Sequence, residues 1–234
     1  TGLSDRRERP WDTSFVSSIR DLDEIITEQI GVDRAVLIGH SFGGLQAAYY
    51  AAQHPESVAG LVLSSPGEIK PAKFDEQGRW VNAQKYPVPE HLEFVDVAET
   101  YHEDTAASRL PVRVLLSGLI AHYFNVKFAS DEEMDAALNT LASGFTHNMV
   151  CDESNVKPEE GGGGAYMRLS TNFFGDEYSD PRPLMKEMPA PVVVLQGQCD
   201  YISYAAAYEY VDLFPNSEYR FVPDAGHIIY WDRP

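Results

Sequence analysis

The stretch Ala35-Val36-Leu37-Ile38-Gly39-His40-Ser41-Phe42-Gly43-Gly44 decides the fold of this chain. Ala35 to Ile38 is an apolar run of strand length, read as a short strand buried on both faces in a parallel sheet. Phe42 to Gln53 then carries Leu45, Ala48, Tyr49 and Ala52 at helical spacing and ends near His54-Pro55. Ser41 is therefore predicted on a sharp turn from strand to helix. Such a turn strains the serine backbone and presents its hydroxyl at the end of the sheet, which is the setting of a nucleophile. Strand and helix pass closely there, and Gly39 and Gly43 are expected to leave the room. Gly-x-Ser-x-Gly by itself is a weak signal, so the rest of the chain has to supply its context.

Upstream, Phe15, Ile19, Leu22, Ile26 and Ile30 fall on one helical face, with Asp12 or Thr13 as the cap and Gly31 as the stop. Downstream, Val58 to Ser64 reads as a second buried strand and completes a strand, helix, strand unit. From about Glu68 to Met188 the pattern changes to helices without strands. The predicted helices are Glu90 to Leu110, Pro111 to Asn125 and Asp131 to Gly144, the last with a capping box from Ser130 and Glu133. Gly161 to Gly164 reads as a flexible turn. Strand character returns at Pro191 to Leu195, which runs into Gln196-Gly197-Gln198-Cys199-Asp200 and a helix from Ser203 to Phe214. Glu218 to Val222 is the last strand, before Pro223-Asp224-Ala225-Gly226-His227. Alternating strands and helices argue an α/β domain with a mostly parallel sheet, formed by residues 1–67 and 189–234. Residues 68–188 form a helical insertion within it.

In such sheets the chemistry gathers beyond the carboxyl ends of the strands, where Ser41, Asp200 and His227 are all predicted. A hydroxyl is a poor nucleophile at neutral pH and needs a base, and that base needs an acid to fix its tautomer. His227 and Asp200 suit those roles, and the order Ser, Asp, His is the one that accompanies a nucleophile elbow. The Phe42 N–H, at the first turn of the next helix, is the expected donor to a developing oxyanion. Plainer readings stay open: Ser41 and Asp200 as helix caps, His227 as a packed histidine, and Asp224 as a rival acid. Cys199 is read as a small buried packing residue.

Thirty-six acidic against 18 basic residues give a formal charge of -18, which disfavours nucleic acid and anionic membrane surfaces as partners. No apolar stretch approaches the roughly 18 residues needed to span a bilayer. Cys151 and Cys199 have neither the number nor the spacing of a disulfide framework or a zinc site, which leaves a single bridge open. The histidines show no metal-ligand spacing, and neither metal nor cofactor is expected. The sequence begins with Thr1 rather than Met, both ends read as unfinished, and the expected location is the cytoplasm.

The elbow at Gly39 to Gly44, the acid loop Gln196 to Asp200, the base loop Pro223 to His227 and the insertion between them resemble the α/β-hydrolase superfamily. The likeness spans essentially the whole chain and is greatest to the proline iminopeptidase-like branch. It implies an α/β-hydrolase fold, a triad of Ser41, Asp200 and His227, and a helical cap roofing the pocket. It also implies strands before the elbow, a loop giving the second oxyanion donor, and a helix after the histidine. Gly2-Leu3-Ser4-Asp5 resembles the end of that front half. Within the branch, carboxylates of the insertion would bind the α-amine of an N-terminal proline. Glu153, Glu159, Glu160 and Glu177 lie in the right segment, with Tyr166, Phe173 and Phe174 as candidate pocket walls. The expected activity is acyl-enzyme hydrolysis of small amide or short peptide substrates. A carboxylesterase, lactonase or carbon-carbon bond hydrolase is the first alternative, and a non-catalytic binding module of the same fold the second.

Overall fold

The computed structural model describes residues 5–95, 111–143, 149–157, 164–168 and 179–234. Among these, β1 (Ala35–His40), β2 (Val58–Ser64), β3 (Val192–Cys199) and β4 (Ser217–Gly226) form one parallel sheet in the order β1-β2-β3-β4. The register sets Ile38 against Val62, Leu63 against Val194 and Leu195 against Arg220. Because every strand points the same way, the loops after β1, β3 and β4 emerge at one edge of the sheet. Those loops carry Ser41, Asp200 and His227.

The helices are α1 (Phe15–Glu24), α2 (Phe42–Gln53), α3 (Val81–Lys85), α4 (Val112–Phe124) and α5 (Asp131–Ser143). They are followed by α6 (Ala165–Arg168), α7 (Arg182–Met185), α8 (Tyr204–Leu213) and α9 (Ile229–Asp232). The chain divides into two compact units. The larger comprises Asp21–Thr100, Asn148–Val156 and Tyr178–Pro234, and the smaller Thr1–Arg20, Tyr101–His147 and Lys157–Glu177. The described residues of the predicted insertion are thus distributed over both units, and the start of the chain belongs with the helical one.

In the larger unit α2 packs on β1 and β2, and its Ala47, Ala48, Ala51 and Ala52 are all buried. Val58, Leu61 and Leu63 of β2 are almost entirely buried, each worth about 1.5–3 kcal/mol in water-excluded surface. The expectation that β1 is buried on both faces fails. Val36 is 62% and Ile38 78% exposed, because β1 is an edge strand of the described sheet and α2 covers only its Leu37 side.

In the smaller unit Val114, Ala121, Ala129, Met134, Ala137, Ala165 and Tyr166 share one core. Asp135 is buried there, accepting from Arg6 and from the Ala165 N–H. The Ser130 hydroxyl caps α5 by accepting from the Glu133 N–H at 3.2 Å. Among the described residues the return half of the capping box is not made, and the Glu133 carboxylate pairs with Arg113 instead. The helix predicted from Glu90 does not begin there. Residues 90–95 run without helix and bond to the acid loop, Val95 N–H to the Gln198 carbonyl and Gln198 Nε2 to the Glu93 carbonyl, both at 3.0 Å. The remainder of that prediction, like Gly161 to Gly163, lies outside the described residues.

Candidate active site

Ser41 links β1 directly to α2 with φ 52° and ψ -120°, a conformation that costs a residue with a side chain about 1–3 kcal/mol. Hydrogen bonds hold it there. Its N–H donates to the Ser64 carbonyl at 2.9 Å, and its carbonyl accepts from Gly44 and Gly67 at 3.0 Å. The crowding that demands glycine is one-sided. A Cβ on Gly39 would lie 2.4 Å from the Gly43 carbonyl oxygen, whereas one on Gly43 would meet nothing within 4 Å. The expectation that Gly43 supplies room is therefore corrected: Gly39 does so, because the first turn of α2 passes over its Cα.

Asp200 and His227 are both buried, and His227 Nδ1 donates to Asp200 Oδ1 at 2.8 Å. The same carboxylate oxygen accepts from the Ile202 N–H at 2.9 Å, which makes the turn after β3 its own support. Asp200 Oδ2 is buried with no hydrogen-bond partner among the described residues. With Nδ1 carrying the proton toward Asp200, Nε2 is an acceptor. Its partner is the Tyr201 hydroxyl at 3.3 Å, with the two rings 4.3 Å apart. Among the described residues a hydrogen bond from Ser41 Oγ to Nε2 is not made. Asp224, the rival acid, is exposed, has φ 50° and pairs with Arg233, whereas Asp200 is the carboxylate bonded to His227.

His40 joins the elbow to the base. Its Nε2–H donates to the His227 carbonyl at 2.9 Å, and the two rings lie 4.7 Å apart. Burial, followed by the neighbouring His227, lowers the pKa of His40 below its ordinary 6.5.

Other assignments fare differently. Tyr166 is 3% exposed in the core of the smaller unit, and its hydroxyl donates to the Ala129 carbonyl at 2.8 Å. Its ring packs in that core and its hydroxyl is engaged there. Glu153 is exposed in the short turn Glu153–Asn155 of the larger unit. Phe42 opens α2. Glu177, Phe173, Glu159, Glu160 and Phe174 lie outside the described residues. Cys199, expected as a packing residue, is bonded to Cys151 with their Cα atoms 5.3 Å apart. Their separation of 48 positions hid the pairing in the sequence.

Sequence reasoning also passed over Gln196. It is fully buried in β3, donates to the Ile202 carbonyl at 2.7 Å and accepts from the Tyr219 hydroxyl at 2.9 Å, so it braces the acid loop from below. A lone amide ending the run Val192-Val193-Val194-Leu195 was the available signal, since a polar group in a core strand needs partners. Among the described residues no group of three or more His, Cys, Asp or Glu could hold a metal ion, and no helix is long and apolar enough to cross a membrane.

Known proteins give this geometry a family. The chain is 23% identical over 215 residues to a 1-acylglycerol-3-phosphate O-acyltransferase of Saccharomyces cerevisiae, covering 85% of this chain and 52% of that protein. It is 25% identical over 213 residues to a proline iminopeptidase of Neisseria gonorrhoeae, covering 87% and 64%. An α/β-fold hydrolase structure from Bacillus anthracis str. Sterne superposes with a TM-score of 0.56 at 20% identity, covering 97% of this chain and 72% of that one. The chain spans between 47% and 60% of the length of the first curated relatives that it matches. The family model described as the alpha/beta hydrolase fold matches residues 1–234, and the chain belongs to that family.

Proposed function

We propose that the chain is the catalytic part of a serine hydrolase that works through an acyl-enzyme. The observation that carries this reading is the buried Asp200–His227 pair at the same sheet edge as a serine held at φ 52° between strand and helix. Ser41 Oγ attacks the substrate carbonyl carbon as His227 Nε2 takes its proton, and Asp200 stabilises the imidazolium through Nδ1–H. The Tyr201 hydroxyl yields Nε2 when the serine engages it. Charge developing on the carbonyl oxygen is met by the Phe42 N–H at the start of α2, where the helix dipole adds to the attraction. His227 then returns its proton to the leaving group, and water, deprotonated by the same imidazole, releases the acid from Ser41.

The substrate reading is a proline iminopeptidase-like cleavage of short peptides or amides. It is supported by the similarity to a proline iminopeptidase and by Glu153, whose turn belongs to the same unit as the Asp200–His227 pair. An anionic side chain there suits the free α-amine of a substrate. A second reading, acyl transfer from a carboxylic ester, is favoured by the similarity to an acyltransferase.

Turnover of a prolyl-naphthylamide against p-nitrophenyl esters, on the natural full-length protein, separates the two. Ser41→Ala is expected to abolish turnover of either class while leaving the protein folded, and retained turnover would sink the mechanism. Glu153→Gln is expected to raise KM for the amide about tenfold or more and leave the esters unchanged, as loss of a charge-assisted contact used only in binding. Equal effects on both substrates would remove Glu153 from amine recognition.

A further inference from the structure

The base loop is held in place by a carboxylate that the catalytic reading does not use. Asp232, the last residue of α9, accepts from the Gly226 N–H at 2.7 Å and from the Cys151 N–H at 2.9 Å on Oδ2. Its Oδ1 accepts from Asn155 Nδ2 at 2.9 Å and from the Asp152 N–H at 3.5 Å. One side chain thus ties the residue before His227 to a separate segment, Met149 to Asn155. The residue after His227 is tied to that segment too, since the Ile228 N–H donates to the Met149 carbonyl at 2.8 Å.

The approach between the two segments is close. A Cβ on Gly226 would lie 2.5 Å from Val150 Cα and 2.6 Å from the Met149 carbonyl oxygen, so backbone rests on backbone. The same segment reaches the acid, because Cys151 is bonded to Cys199, the neighbour of Asp200. All of these residues belong to the larger unit.

Asp232 accepts four hydrogen bonds, three of them from backbone N–H groups, and bonds to a carboxylate are shorter and roughly twice as strong as those between neutral groups. We propose that Asp232 is a positioning residue for the general base. With residues 149–155 it makes a strap across the base loop, fixing the backbone on both sides of His227 so that Nδ1 stays on Asp200 and Nε2 faces the nucleophile.

This proposal rests on the triad reading, and its test keeps the two apart. The measurement is the second-order rate of Ser41 labelling by a fluorophosphonate, followed across pH, alongside thermal unfolding. If the wild-type protein does not label, the triad reading fails. Given labelling, Asp232→Asn is expected to lower the rate about tenfold or more, as small misplacements of catalytic groups do. The acidic limb of the profile should also move to lower pH, because an imidazolium held less firmly on Asp200 loses its proton more readily. A rate and limb like wild type overturn the proposal. A slower rate with an unmoved limb does so as well, since lost stability alone would explain it. Should Asp232→Asn not fold, Asn155→Ala removes one bond of the strap from a partly buried turn; a limb unmoved and a rate within about twofold of wild type then overturn it.

Discussion

At Ser41 a strained serine and an unobstructed one would read identically in sequence, and the structure separates them through the neighbouring glycines. Gly39 faces the Gly43 carbonyl oxygen at 2.4 Å and Gly44 Cα at 2.7 Å, measured from the Cβ that alanine would add. Both obstacles are backbone, so Gly39→Ala must push the first turn of α2 off β1. Its expected cost is about 3 kcal/mol, the upper part of the overpacking range. Gly43→Ala meets nothing within 4 Å and is expected to stabilise by about 0.5–1 kcal/mol, as alanine does in place of a helical glycine. Urea denaturation of the two variants checks the contrast, and equal destabilisation would show that the elbow is crowded from both sides. Gly-x-Ser-x-Gly made the strand-to-helix turn at Ser41 legible. It could not rank its two glycines, because the clash is set by how the helix crosses the strand and not by sequence spacing.

Element by element, strands and helices with a clean period were legible. α2, β2 and α8 lie within a residue or two of their predicted ends, and Asn125 stops α4 in the left-handed conformation at φ 55°. What failed was whatever depends on partners far along the chain. The apolar run of β1 does not say which of its faces is covered, and residues 90–95 leave their helical pattern to bond with Gln198. The network around Arg182 belongs to the same kind. Arg182 Nε donates to Glu209 Oε1 at 2.7 Å, and its other nitrogens reach Asp180, Ile69 and Pro71, joining α7 and α8 to the segment after β2. Both partners are buried, so removing Glu209 leaves a desolvated guanidinium with Asp180 as its remaining carboxylate. Glu209→Ala is expected to cost about 3 kcal/mol in chemical denaturation, the lower end for a broken buried pair, and the double replacement Arg182→Met with Glu209→Leu to recover most of it. A double variant as unstable as the single would show that shape, and not charge, sets the cost.

Across the whole molecule, the formal charge of -18 and the parallel sheet were available from composition and pattern, but the covalent link was not. Two cysteines 48 residues apart carry no motif, and only the folded chain brings the strap beside the end of β3. Bridges persist in oxidising compartments and are rare in a reducing cytosol, so this pair bears directly on the expected cytoplasmic location. It also bears on stability. Closing a loop of that length restricts the unfolded chain by about 4 kcal/mol in the chain-entropy account. Cys151→Ser is therefore expected to lower the unfolding free energy by that order and to raise the denaturant slope, since an unbridged chain exposes more surface on unfolding. The native strap keeps its Asp232 and Met149 bonds without the bridge, so Ser41 labelling in the folded variant should fall far less than in Asp232→Asn. Thiol titration of the denatured, unreduced protein is the direct check. Two free thiols per chain would mean that the bridge does not form, and that hydrogen bonds alone hold the acid and base loops to the strap.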